Sequence, residues 1–535
     1  MLERVLFPES VGVSSDVFAD LIKYFDSINL RVDSVMVVRD GKIACECHWT
    51  PNTADSPHDM YSLSKSIVAL ATGIAVDEGK ISLDTKIYPT YFPDKLEKFK
   101  GEQREWAEKL TIDHVISMRM GKVTSVFANK QKVCWIDELM ELPFKYEPGT
   151  KWKYISENAF LLSWIIQKET GMTVTEYLTP RLFEPLDIPV PSWEKEHTGV
   201  EAGGWGLRLS AEDLAKISIL FLNKGVYNGK RVFSEDWFNK TVYPQASAEE
   251  VYPIFTPKTE YGYQTWIDHE NNDTTYRFTG LYGQFIYMFP DYNASVVVTA
   301  SDNRDGEFLH PIYKHFPKAF IEPTDAVDEK KQAEFKSFLD SHEIKPNFKS
   351  KASFRNTAKE KEINGKLIKL KTRGNVSTQG ATSFFMWANK CGSMNNIKFE
   401  FDDEGLTFTF TEKNSKRASI RAGMNGKYEH NVVVLSGNEN VIDAQAAWDQ
   451  NGCLELFFCN VGRTQTRRLT FFFGKGGIVR VTSHTDPGYT ELAKFNIEFN
   501  MAMEVKGLLY DVIKVGAPIF EKCYTDPTVY GKIVK

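Results

Sequence analysis

The chain reads as an α+β protein followed by an all-β domain, and three observations carry that reading. Strand-like runs lie at both ends of the first part of the chain with helical runs between them, which fits one antiparallel sheet built from both ends and flanked by helices. A charged, lysine-rich stretch then interrupts the pattern. Beyond it come short β-prone runs broken by Gly and Asn, as in a sandwich or barrel. At 535 residues the chain is past the size at which one core usually divides. We therefore expect a first domain over 1–322, a charged helical linker over 323–362 and a β-rich domain over 363–535.

Taken in order, Val17, Phe18, Leu21, Ile22 and Phe25 recur at helical spacing and predict an amphipathic first helix over 15–28. Val35-Met36-Val37-Val38 and Ile43-Ala44-Cys45 flank Asp40-Gly41, a strong hairpin signal. A polar segment then leads to Tyr61-Ser62-Leu63-Ser64-Lys65-Ser66 and an apolar run, predicting a helix from Ser62 to Glu78 that stops at Gly79. Residues 110–121 read as a further helix closed by a glycine, and 122–146 as a poorly patterned wall over a cleft. Glu147-Pro148-Gly149-Thr150 is a turn that delivers Trp152, Tyr154 and Ser156 to the next helix. Ser210 and Asp213 form a capping-box pattern before another helix. From Tyr261 the period becomes strand-like, with strands expected over 261–267, 275–279, 284–289 and 295–299. Residues 325–342 read as a charged helix, and the final fifty residues complete or cover the β-rich domain.

Composition excludes several classes of function. A hydrophobic fraction of 42% with 25% charged residues is that of an ordinary soluble globular protein. The net charge of −6 implies no basic face, which argues against nucleic acid as a partner. Aromatic residues make up 13%, enough for large cores and an apolar cleft. Cysteine spacing suggests neither a disulfide framework nor a zinc site, so a reducing, cytoplasmic compartment is expected. No metal constellation, cofactor motif, signal segment or membrane span is visible.

The chemistry centres on Ser62 and Lys65. If the run is helical, i and i+3 share a face, and the Lys65 amine stands beside the Ser62 hydroxyl. A serine hydroxyl needs such an adjacent base to become a nucleophile. Ser-x-x-Lys alone is weak, and composition predicts about two copies in a chain this long. The second copy, Ser192 to Lys195, follows two prolines and opens no apolar run, so it reads as a surface loop.

Context strengthens the first copy. The stretch YSLSKSIVALATGIAVDEGKISLD resembles the active-site helix of the class C β-lactamase-like serine hydrolases, in the penicillin-recognising superfamily. EPGTKWKYISENAFLLSWII resembles their second-motif region, and WGLRLSAEDLAK and YRFTGLYGQFIYMFPDY follow the pattern, so the likeness covers about residues 5–305. The resemblance implies a β-lactamase/DD-peptidase-like fold. It implies Ser62 as the acylated nucleophile, Lys65 as its helix partner and Tyr154 as the second-motif tyrosine, and it leaves open which of Lys65 and Tyr154 takes the proton. It also implies an oxyanion hole from the backbone N–H groups of Ser62 and Leu281, with Gly280 letting substrate approach the strand. Two departures stand out. Ser156 occupies the place of an asparagine, and Phe278-Thr279-Gly280 the place of Lys-Thr-Gly. Arg277, one position earlier, points to the other face of the strand. Ser156, Phe278, Thr279, Tyr282 and Trp152 are candidates for the substrate pocket, and His58 is a secondary candidate for moving protons.

The expected activity is hydrolysis of a small ester or amide that needs no carboxylate, as in the esterase and linear-amide branches of that family. Two alternatives remain open at this stage: a sensor that keeps the fold without turnover, and a β-lactamase or D-alanyl peptidase. The β-rich domain is open to three roles: shaping the cleft, self-association, or binding a partner.

Overall fold

A computed structural model describes residues 1–123, 134–247, 259–270, 273–326, 328–349, 353–371, 376–379, 392–412, 416–491 and 516–534. It divides into two compact units. One comprises Met1–His48 with Ala54–His342, the other Trp49–Thr53 with Glu343–Lys535. Within the segment 323–362, residues through His342 therefore pack with the first unit and those from Glu343 with the second.

The first unit is built on a seven-stranded antiparallel sheet. Its strands are β1 (Val32–Arg39), β2 (Lys42–His48), β3 (Glu260–Tyr261), β4 (Trp266–Glu270), β5 (Asp273–Gly280), β6 (Gln284–Phe289) and β7 (Ala294–Ala300). They lie in the order β2-β1-β7-β6-β5-β4-β3, so the N-terminal hairpin pairs with the last strand of the unit. That is the sheet from both ends which the pattern predicts. Asp40 and Gly41 take positive φ at the β1–β2 turn, the geometry a tight hairpin of this hand requires. The expected strand over 261–267 is instead two short strands, because Gly262 to Thr265 form a turn with Gln264 at positive φ.

Helices cover both faces. The helix α1 (Ser15–Ser27) buries Phe18, Leu21, Ile22 and Phe25, and meets the helix Gly306–His315 through Phe25 and Phe308 on one face. On the opposite face Ser218 of the helix Ala211–Leu222 hydrogen-bonds Ser295 of β7 at 2.7 Å, and Phe221 packs on Phe278. That helix has the expected capping box, Ser210 Oγ accepting from the Asp213 N–H and the Asp213 carboxylate from the Ser210 N–H. The expected helix over 110–121 is only Ile112–Ile116, because the chain turns at Met118, which has positive φ. Of the wall expected over 122–146, residues 124–133 lie outside the described residues, and Trp135–Glu141 is helical.

The second unit is a closed all-β barrel. Its strands are β8 (Ile368–Lys371), β9 (Met394–Phe401), β10 (Gly405–Glu412), β11 (Arg417–Gly423), β12 (Glu429–Leu435), β13 (Asn438–Trp448), β14 (Leu454–Asn460), β15 (Thr466–Phe473), β16 (Ile478–Asp486) and β17 (Thr528–Ile533). They run β11-β10-β9-β8-β17-β16-β15-β14-β13-β12, and Gly423 of β11 pairs with Gln445 of β13 to close the ring. Phe399, Phe408, Phe458, Trp448 and Phe471 fill its interior. The final strand is inserted between β8 and β16, so the last residues complete the barrel rather than cover it. The β-prone run Phe384–Trp387 lies outside the described residues.

Candidate active site

The apolar run after Ser62 does form a helix, but the nucleophile candidate sits just before it. Residues Tyr61–Leu63 make one 3₁₀ turn, and the helix α2 runs Ser64–Asp77. Gly79, at positive φ, ends it, with the Lys80 N–H reaching back to the Ala75 carbonyl. Every side chain from Ser64 to Ala75 is buried, so Lys65 enters the interior with its helix.

Its amine donates to Ser62 Oγ at 2.8 Å and to the Gly204 carbonyl at 2.8 Å. Both acceptors are neutral, and the side chain is 1% exposed. Burial therefore penalises the ammonium and pushes the Lys65 pKa down to about 7, with the Glu157 carboxylate opposing the shift. The Tyr154 hydroxyl hydrogen-bonds the same Ser62 side chain. The Tyr154 ring lies beneath the amine, whose nitrogen is 5.0 Å from the ring centroid. Burial raises the Tyr154 hydroxyl well above a free phenol, while the bond to Ser62 and the charge of Arg277 pull against that rise. Ser62, Lys65 and Tyr154 thus converge on one hydroxyl.

Tyr154 is held by its strand-like approach. The turn at Glu147–Thr150 closes through the Thr150 N–H, and the Lys153 N–H donates to the Met118 carbonyl. Trp152, Tyr261 and Trp266 surround the tyrosine at centroid distances of about 5.6 to 6.1 Å. Ser156 opens the helix α3 (Ser156–Thr170) and lies against Gly204, where a Cβ would stand 2.8 Å from the Ser156 Cβ. Both belong to the loop-and-helix junction that presents the Gly204 carbonyl to Lys65.

On the other side of Ser62 stands the end of β5. A Cβ on Gly280 would be 2.1 Å from the Met60 carbonyl oxygen and 3.2 Å from the Leu63 nitrogen, so only glycine lets this strand meet the 3₁₀ turn. Leu281, Tyr282 and Gly283 form the turn into β6, and Tyr282 stacks edge-on against Tyr61 at 4.9 Å. This brings Gly280 and Leu281 beside Ser62.

Phe278 is different. It is fully buried against Phe221 of the helix Ala211–Leu222, so the expected pocket residue is a core residue. Alternation puts Arg277 and Thr279 together on the other face, as expected for Arg277, yet that arginine is not remote from the site. Its guanidinium donates to Thr279 Oγ1 at 2.7 Å, pairs with Asp268 at 2.9 Å and acts on Tyr154. His58 is buried with Nδ1 on the Ser56 carbonyl and Nε2 3.6 Å from Asp33, and burial lowers its pKa to about 4. His114, half-buried in the first turn of its helix, accepts the Thr111 N–H at Nδ1 and completes a capping box with that residue. The second Ser-x-x-Lys copy is extended backbone with Ser192 and Lys195 exposed.

Sequence reasoning missed Glu157 and Gly204. Glu157 follows the tyrosine motif by three positions and carries a signal in hindsight, a carboxylate opening an apolar helix. Gly204 lies 139 residues from Lys65 and offers only a carbonyl, so no side-chain pattern could reveal it. Among the described residues no group of three or more His, Cys, Asp or Glu could hold a metal ion, and no helix is long and apolar enough to cross a membrane.

Several known proteins are similar to this chain over part of its length. A 6-aminohexanoate-dimer hydrolase of Paenarthrobacter ureafaciens is 24% identical over 298 residues, covering 52% of this chain and 74% of that protein. Among solved structures, a D-stereospecific amidohydrolase from Streptomyces is similar over 56% of this chain and 98% of its own, with 14% identity and a TM-score of 0.45. A penicillin binding protein from Bacillus halodurans is similar over 55% and 99%, with 17% identity and a TM-score of 0.44. The model of the family described as Beta-lactamase matches residues 18–313, more than half of the chain, and the chain belongs to that family.

Proposed function

We propose that this protein is a serine hydrolase that cleaves a small ester or amide through an acyl-enzyme on Ser62. The observation that carries the reading is the pair of hydrogen bonds that meet at one hydroxyl, one donated by Lys65 at 2.8 Å and one shared with Tyr154. A buried amine with a pKa of about 7 is half deprotonated near neutrality. We therefore assign Lys65 as the base. As the Ser62 oxygen bonds to the substrate carbonyl carbon, its proton passes to the Lys65 nitrogen and the carbonyl oxygen takes the negative charge. That oxygen is received by the backbone N–H groups of Ser62 and Leu281. Tyr154, held neutral by burial, passes a proton to the departing alcohol or amine and recovers it from Lys65. Water then attacks the acyl ester by the same route in reverse.

Substrate preference follows from the third motif. Phe278 fills the place of the family cation and is packed into the core, and the nearby Arg277 is engaged by Asp268 and Thr279. An uncharged acyl group fits this better than one that needs a carboxylate clamp. The similarity to a 6-aminohexanoate-dimer hydrolase supports including amides of that kind among the substrates. The free thiols of Cys45, Cys47, Cys453 and Cys459, all buried, support a reducing, cytoplasmic setting.

An activated phosphonate is expected to add stoichiometrically to Ser62, read by intact mass, and a panel of neutral esters and linear amides is expected to turn over. Equal turnover by Ser62→Ala would refute the assignment. A burst without a steady state would instead indicate a sensor, and brisk nitrocefin hydrolysis a β-lactamase.

A further inference from the structure

Arg277 is wholly buried, yet it lies on the strand that borders Ser62. Its Nε donates to Asp268 Oδ2 at 2.9 Å and one terminal nitrogen to Asp268 Oδ1 at 3.4 Å. The other terminal nitrogen donates to Thr279 Oγ1 at 2.7 Å. Asp268 is itself saturated: Thr259 donates to Oδ1 at 2.5 Å and the Tyr313 hydroxyl to Oδ2 at 2.6 Å. These bonds fix the carboxylate, the carboxylate fixes the guanidinium, and the planar fork leaves Arg277 one orientation. Buried ion pairs add little stability over apolar packing, so a fully bonded one set three residues before Gly280 invites another explanation.

The consequence falls on Thr279. A hydroxyl oxygen that accepts from a cation is polarised, and its own proton must point elsewhere. Thr279 is 9% exposed while Arg277 is sealed, so the proton is left for an acceptor on the open side. Gly280, next in sequence, touches the turn that carries Ser62. Arg277 also stands over Trp266, 5.5 Å from its ring, and Trp266 packs on Tyr154 at 5.6 Å. One buried cation thus braces both the strand end and the tyrosine.

We propose that Arg277 is a positioning residue of the hydrolytic site: anchored by Asp268 and Tyr313, it orients the Thr279 hydroxyl as a hydrogen-bond donor to a neutral acceptor oxygen of the substrate. This rests on the assignment of Ser62, Lys65 and Tyr154 to the reaction. It does not require Arg277 to meet the substrate.

The test pairs kinetics with a measurement that needs no activity. In full-length protein with labelled threonine methyls, the Thr279 signal is identified by its loss in Thr279→Val. Arg277→Lys, whose single ammonium cannot span Asp268 and Thr279, is expected to shift that signal; an unmoved signal overturns the proposal. With a neutral ester, Arg277→Lys is expected to lower kcat/KM by about tenfold to a hundredfold, the range for a charged hydrogen bond. On a Thr279→Val background the same change should cost less than about threefold, since the partner is gone. Equal losses on both backgrounds overturn the proposal. Should Arg277→Lys not fold, Tyr313→Phe loosens only one bond on Asp268, and it is expected to move the Thr279 methyl with a smaller loss of rate. An unmoved methyl there is equally adverse. Failure of wild type to be labelled at Ser62 would defeat the hydrolase assignment, whereas the methyl signal judges Arg277 by itself.

Discussion

A lysine amine in water keeps its proton up to about pH 10.4, and Lys65 is expected to lose it near 7 because burial strips its water and the two oxygens to which it donates are neutral. If that amine is the base, kcat/KM for a neutral ester should fall about tenfold per pH unit below 7 and level off above it. The sign of the neighbour's effect is fixed. Glu157 favours the ammonium and raises the Lys65 pKa, so Glu157→Gln should move the rising limb to lower pH. Lys65→Arg keeps the charge but cannot deprotonate, and a loss of about a thousandfold with no rising limb is expected. A pH–rate profile of the three proteins decides it, and a limb unmoved in Glu157→Gln would count against Lys65. At this scale the sequence was informative about Ser62, Lys65 and Tyr154, whose chemistry lies in their side chains. It was silent on Gly204, whose part is a carbonyl brought from far along the chain, and it misread Phe278, whose direction is decided by packing on Phe221.

Elements bring these residues together, and their meeting point is glycine. The 3₁₀ turn Tyr61–Leu63 and the end of β5 approach until no side chain fits between Gly280 and the Met60 carbonyl. Gly280→Ala should push the strand off the turn, separating Leu281 from Ser62. We expect a loss of about a hundredfold in phosphonate labelling of Ser62, the scale of one displaced oxyanion donor, with at most a few degrees lost in Tm. Wild-type labelling in a folded Gly280→Ala protein would contradict the contact. The periods of the chain announced the helices and the strand-rich end clearly. Boundaries were harder: the break at Gly262 to Thr265 comes from a turn with Gln264 at positive φ, which hydrophobic alternation does not register.

At the scale of the whole molecule, the chain carries two cores with separate memberships, and the second was read only as a sandwich or barrel. Closure was illegible because it depends on pairs remote in sequence: β17 between β8 and β16, and Gly423 against Gln445. The same separation makes a prediction. Phe408 is buried among Phe399, Phe410, Phe458 and Phe471 inside the barrel. Phe408→Ala removes a ring from a rigid interior and should cost about 3 to 5 kcal/mol, transfer and cavity together. None of those contacts belongs to the sheet that carries Gly280 or to the helix after Ser62, so the loss should fall on the barrel alone. Scanning calorimetry of the full-length variant should show one unfolding transition moved to lower temperature, while Ser62 is labelled at the wild-type rate below it. A single transition moved as a whole, with labelling slowed in proportion, would mean that the barrel is part of what holds the serine in place.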